Sequence, residues 1–161
     1  MLLLLALATR MLAATVEAES LRDLRSLEVG IEALPVLAAD VGLTVADLQT
    51  DVELRIRNSR IPVKEGSQAD GNVLVAVSLL QSKGTGLWAY VVTVQILRAV
   101  YLLSSNGFKK SAAITWVKTE MGMGGSTVIG NGIRGSVRDL VDKFLNDYLS
   151  VHDQLNGPRA Q

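Results

Sequence analysis

The 161 residues are 48% hydrophobic, 20% charged and 4% aromatic, with no cysteine and 16 basic residues against 16 acidic ones. That length and apolar share suit one globular domain, and zero net charge removes the basic excess that would drive counterion release from nucleic acid or an anionic membrane. Without cysteine there is no disulfide, thiolate nucleophile, thiolate metal site or acylated lipobox, and the single histidine, His152, argues against a multi-histidine metal site or a conventional Ser-His-Asp triad.

Met1 to Ala8 is an unbroken apolar run, far short of the roughly 20 residues that span a bilayer. It lacks the 3.6-residue stripe of a half-buried helix. With Val16 and Ala18 at the positions where a signal peptidase takes small side chains, residues 1–18 read as a secretory signal peptide cut near Ala18. Arg10 interrupts the run and no Lys or Arg precedes it. The expectation is a periplasmic or secreted protein, with no stable membrane anchor after cleavage and one domain over residues 19–161.

Ser26 to Leu34 alternates apolar and polar residues and predicts a half-buried strand, ended by Pro35. Thr44 with Asp47 forms a capping signature. Val45, Leu48, Val52 and Ile56 then fall at helical spacing, so a helix is predicted from Val45 to about Asn58, stopped by Ile61-Pro62. Its i to i+4 pairs, Asp51-Arg55 and Glu53-Arg57, read as ordinary helix support. Asn72 to Gln81 is nearly continuous in apolar residues and predicts a central strand covered on both faces. The glycine-bearing turn from Ser82 to Gly86 predicts a hairpin into a long strand, Leu87 to Leu103, with a bulge near Arg98-Ala99. A second turn at Ser104 to Gly107 leads to a strand from Ser111 to about Met121. Gly122 to Gly132 is then expected as a flexible connection. The stripe Ile133, Val137, Leu140, Val141, Phe144 and Tyr148 predicts a C-terminal amphipathic helix. The order β-α-β-β-β-α argues an α+β fold, a mainly antiparallel four-stranded sheet with both helices on one face.

Four residues stand out as candidate ligand contacts: Trp88, Tyr90, Gly132 and Arg134. Gly130 to Gly135 matches GxGxxG, but no strand follows the helix it opens, so the dinucleotide context is missing. Backbone amides at that helix start, with Arg134 nearby, can still hold an anion. Trp88 and Tyr90 lie two apart on one strand face, where rings can stack on a ligand. Core or cross-strand packing is the competing reading. His152 lies beside Asp147 and Asp153 at a fraying helix end, which favours a solvated terminus. Asp40, Asp47 and Asp51 do not have EF-hand spacing. No catalytic, metal or cofactor-binding residue is therefore assigned, and no cofactor or nucleic-acid partner is expected.

Ser20-Leu21-Arg22, the stretch from Leu48 to Arg55, Ile61-Pro62-Val63 and the stretch from Val137 to Leu149 together resemble a group of uncharacterised bacterial exported proteins with signal peptides. The arrangement is also loosely similar to small envelope domains such as the TolB N-terminal domain. The resemblance implies an exported envelope protein and supplies no activity. The expected function is non-enzymatic binding, to an envelope protein or by self-association, with strand addition at a sheet edge such as Leu87 to Leu103 as one mode. The alternative is a periplasmic binder of a small apolar or anionic ligand.

Overall fold

A computed structural model describes residues 16–105 and 107–153. The expected signal peptide lies outside the described residues except for residues 16–18. Of these, Glu17 pairs with Lys118 and Ala18 packs against the core.

The strands are β1 (Leu27–Ile31), β2 (Gly71–Gln81), β3 (Leu87–Ser104) and β4 (Gly107–Gly125), and the long α-helices are α1 (Val45–Asn58) and α2 (Ser126–Asp153); residues 16–19 are helical as well. The four strands and two long helices follow one another in the predicted order, with further short helical segments that periodicity did not predict, and the fold is α+β. The sheet runs β1-β2-β3-β4, but it is mixed. β2, β3 and β4 are antiparallel neighbours, whereas β1 lies parallel to β2, Leu27 facing Gly71 and Ile31 facing Val75. The correction has a physical reason: β1, α1 and β2 form one crossover unit, and a helix between adjacent strands returns the chain in the same direction. Two short 3₁₀ segments, Val36–Val41 and Gly66–Gln68, accompany the α-helices.

Both ends of α1 follow from local chemistry. The Thr44 hydroxyl accepts from the Asp47 amide at 3.1 Å. At the other end Arg60 adopts φ 63°, its amide reaches Arg57 O at 2.9 Å, and the Ile61 amide reaches Ile56 O at 3.3 Å. That pair of bonds is a Schellman motif, with buried Ile56 and Ile61 making its hydrophobic contact and Pro62 preventing continuation.

The core lies between one face of the sheet and the helices. Val73, Val75, Val77 and Leu79 of β2, Trp88, Val92, Val94 and Ile96 of β3, and Trp116 of β4 are all buried there. The stripe of α2 from Ile133 to Phe144 is buried against them, and Trp116 meets Phe144 edge-on with ring centroids 5.5 Å apart. β2 is central but not covered on both faces. Its alternate residues, Asn72 to Leu80, are half-buried to exposed, because no described element lies on the outer side.

Three further expectations are corrected. The bulge lies on β4, where Ile96 faces Trp116 and Leu97 faces Ile114, leaving Thr115 as the extra residue. β3 is paired on both sides from Trp88 to Arg98 and offers no edge over that length. The glycine segment is not a loop: β4 runs to Gly125 and α2 starts at Ser126. A Cβ at Gly130 would overlap the carbonyl oxygen of Val41, and one at Gly122 would lie 2.5 Å from the Tyr90 hydroxyl. These glycines permit close approach, by the Val36–Val41 segment at Gly130 and by an aromatic ring at Gly122.

Candidate binding face

The inner face takes up most of the residues that stand out in the sequence. Trp88 and Tyr90 both point beneath α2. Trp88 is buried, and its indole N–H has no hydrogen-bond partner among the described residues. Tyr90 is half-buried, with its hydroxyl 2.9 Å from Ser136 Oγ. Ser136 donates in turn to Glu120 at 3.1 Å, and Lys143 stands 3.6 Å from the same carboxylate. Gly132 faces the Tyr90 ring, where a Cβ would find ordinary contact at 3.5 Å. The structure therefore brings Tyr90 and Gly132 together, but through helix-to-strand packing.

Arg134 lies elsewhere. Because α2 starts at Ser126, Arg134 is two turns inside the helix, away from the free amides of its N-terminus. Its guanidinium donates to Asp51 at 2.9 and 3.1 Å, and Arg138 reaches the same carboxylate at 3.1 Å. The Arg134 hydrogen bond, and then the charges of both arginines, hold the Asp51 carboxyl below its ordinary range, while Asp51 raises Arg134. Arg55 turns to Asp142 of α2 at 2.6 Å, so the expected Asp51-Arg55 pair does not form; Glu53-Arg57 does, at 2.7 Å. Two α1 residues thus tie α1 to α2. Helical spacing within α1 does not reveal this, because the partners Asp142, Arg134 and Arg138 lie more than 80 residues further along the chain.

At the C-terminal end His152 stacks on Tyr148 with centroids 3.8 Å apart, and its Nδ1 lies 2.8 Å from the Tyr148 carbonyl. Burial raises the Tyr148 hydroxyl above its ordinary value. Asp147 does not meet the histidine; it accepts from the Trp116 indole N–H at 2.8 Å. Among the described residues no three His, Asp or Glu side chains gather closely enough to hold a metal ion.

The outer face of the sheet carries the feature that sequence reasoning missed. Leu80, Leu87, Val91, Met121 and Met123 are exposed there, the two methionines at 76% and 79%. All but Leu87 line a hollow of about 180 Å³ between β2, β3 and β4. A second apolar group sits beyond the end of β2, where the β3-β4 ribbon projects alone with Tyr101, Leu102, Leu103 and Phe108 exposed. Thr93 and Thr119, with hydroxyls 3.1 Å apart, lie between the two groups. Leu80, Val91, Met121 and Met123 share one face by strand alternation; that this face has no cover among the described residues is a tertiary fact.

The two sheet edges differ. Beyond β1 the chain returns, with Leu27 donating to Pro62 O at 3.0 Å and Lys64 donating to Leu27 O at 2.8 Å. Along β4 the contact from outside the sheet is at the bulge, where Ser20 Oγ donates to Thr115 O at 2.9 Å. The stretch from Trp116 to Gly122 receives no backbone hydrogen bond other than those of β3 among the described residues.

The described residues define an α+β domain in which one sheet face is buried and the other face and one edge carry no cover from those residues. No family model and no curated protein matches the chain. Among solved structures it is similar to the PelC dodecamer from Paraburkholderia phytofirmans, at 19% identity over 79% of this chain and 85% of that one, with a TM-score of 0.41. It is also similar to a minor lipoprotein from Acinetobacter baumannii, at 14% identity over 85% and 96%, with a TM-score of 0.31. This chain has no cysteine to carry an acyl group. No helix among the described residues is long and apolar enough to cross a membrane.

Proposed function

We propose that this is a non-enzymatic, exported protein of the bacterial cell envelope, periplasmic or secreted, that acts by binding another protein through the bare outer face and open edge of its sheet. The observation that carries the reading is the exposed group Leu80, Val91, Met121 and Met123. Contiguous apolar surface of this kind, rimmed by polar residues, marks interaction sites, and methionines adapt to the shape of a partner. The apolar run from Met1 to Ala8 supports export. Crosslinking in intact cells from single cysteines placed at Met121 and at Asp139 tests it. Partners recovered from Met121 and not from the helix position support binding through this face; equal or no recovery from both overturns it.

The second reading is a small apolar ligand held in the same hollow. Its size, about 180 Å³, is below that of most ligand pockets, so the ligand would be small. Native mass spectrometry of protein purified from its own host would then show a retained mass, lost on replacing Val91 and Met121 with serine.

A further inference from the structure

We propose that two copies of this chain pair through β4, antiparallel, with Thr119 on the two-fold axis. The inference rests on the reading above, that the bare face and open edge bind protein, and names the partner as a second copy.

Three observations converge on that register. An open strand edge is a template for another strand, and native proteins blunt such edges with charges, bulges or cover. On β4 the ribbon end is blunted by Lys109, Lys110 and the Thr115 bulge, whose carbonyl takes the Ser20 hydroxyl. Among the described residues Trp116 to Gly122 has none of these devices beyond one cation and one anion, Lys118 and Glu120, and its midpoint is Thr119.

The charges supply the second argument. With Thr119 opposite its symmetry mate, Lys118 faces Glu120 of the other copy, and Glu120 faces its Lys118. Among antiparallel registers this one alone places both charged residues of the stretch opposite the other sign. Shifting the axis to either neighbour sets lysine on lysine or glutamate on glutamate. Within its own copy Glu120 is paired with Lys143, and Lys118 with Glu17, a residue that the expected cleavage near Ala18 removes and whose place the other copy's Glu120 takes. Pairing the copies therefore extends a row of alternating sign, which opposite-charge cross-strand pairs favour.

The exposed apolar surface is also continuous across this pairing. A two-fold axis perpendicular to the sheet keeps the faces on one side, so Val117, 38% exposed, comes beside Met121 of the other copy. Two bare faces then join into one across an eight-stranded sheet. The contact is isologous and closed, and does not propagate into fibres.

The chain lacks cysteine, so introduced thiols report unambiguously. Thr119→Cys is expected to form a disulfide dimer under mild oxidation. Val117→Cys and Met121→Cys should each crosslink poorly alone and well when mixed. In sedimentation, Lys118→Glu and Glu120→Lys should each dimerise about tenfold or more weakly, since both symmetric pairs become like-charged. An equimolar mixture of those two variants should regain the wild-type affinity, because the mixed dimer again opposes plus to minus. A chain that stays monomeric up to its solubility limit overturns the proposal, as does a dimer that neither crosslinks at Thr119→Cys nor shows the mixing rescue. Either failure leaves binding to a different protein standing if Met121-directed crosslinks still recover one.

Discussion

The hydroxyl of Tyr90 and the Oγ of Ser136 sit 2.9 Å apart, a polar contact that joins β3 to α2 beside their buried apolar packing. The ring fits because Gly122 and Gly132 leave room on two sides of it. Glycines that resemble a ligand-binding signature in the sequence are here the mould for an aromatic side chain.

Substitution by alanine should therefore rank the glycines of this region. Gly130→Ala places a methyl against the backbone of Val41 and should cost more than about 2 kcal/mol, as overpacking does where backbone must move. Gly122→Ala displaces the Tyr90 ring and should cost about 1–2 kcal/mol. Gly132→Ala meets ordinary contact and Gly135→Ala meets open space, so each should stabilise by up to about 1 kcal/mol through helix propensity. Denaturant midpoints at unchanged slope check the ranking.

Asp51 ties α1 to α2 and is 15% exposed, against 33% and 40% for its arginine partners. Asp51→Asn should lower stability by about 1–2 kcal/mol, as expected for hydrogen bonds to a partly screened charge. The folded-state value is depressed, so the contribution is fully present above the unfolded value of about 3.9. It is lost as pH falls through the lower folded value. Wild type and variant should differ equally between neutral and mildly acid pH and converge in strong acid, as thermal unfolding across pH would show.

Arg60 holds a left-handed conformation, φ 63°, that suits glycine at the end of a helix. Arg60→Gly should stabilise the protein by about 0.5–1 kcal/mol, because the strain of a side chain there exceeds the entropy that glycine adds to the unfolded chain. A higher melting temperature for the variant is the readout; a lower one would mean that the Arg60 side chain contributes more than its backbone costs.

Trp116 packs on Phe144 and donates to Asp147. Trp116→Phe should cost about 1–2 kcal/mol, combining a lost hydrogen bond with lost volume. Asp147→Ala should cost less in wild type and almost nothing in the Trp116→Phe background. A double-mutant cycle separates the hydrogen bond, expected at about 1 kcal/mol, from the packing.

What the sequence made legible follows how local each determinant is. The bounds of α1 were readable because Thr44, Asp47 and Pro62 act within a few residues of where they stand. β2 was readable from its apolar run, though not that one of its faces is bare, and β3 from the turns that flank it. The start of α2 was not, since Gly130 and Gly132 are adapted to Val41 and Tyr90, far away in the chain. Parallel pairing of β1 was hidden for the same reason: the register from Leu27 to Gly71 is set by the packing of α1. Of the candidate ligand contacts, Tyr90 and Gly132 do meet, while Arg134 answers Asp51 across the helix pair, a relationship that spacing within either helix does not carry.

The parallel seam between β1 and β2 also bears on the order in which the chain assembles. β3 and β4 are joined by a tight turn, so their contacts close short loops, whereas β1 reaches β2 only after the whole crossover has folded. Contacts of larger sequence separation form later. The hairpin with α2 should thus precede the docking of β1, and substitutions at Val29 should speed unfolding far more than they slow folding.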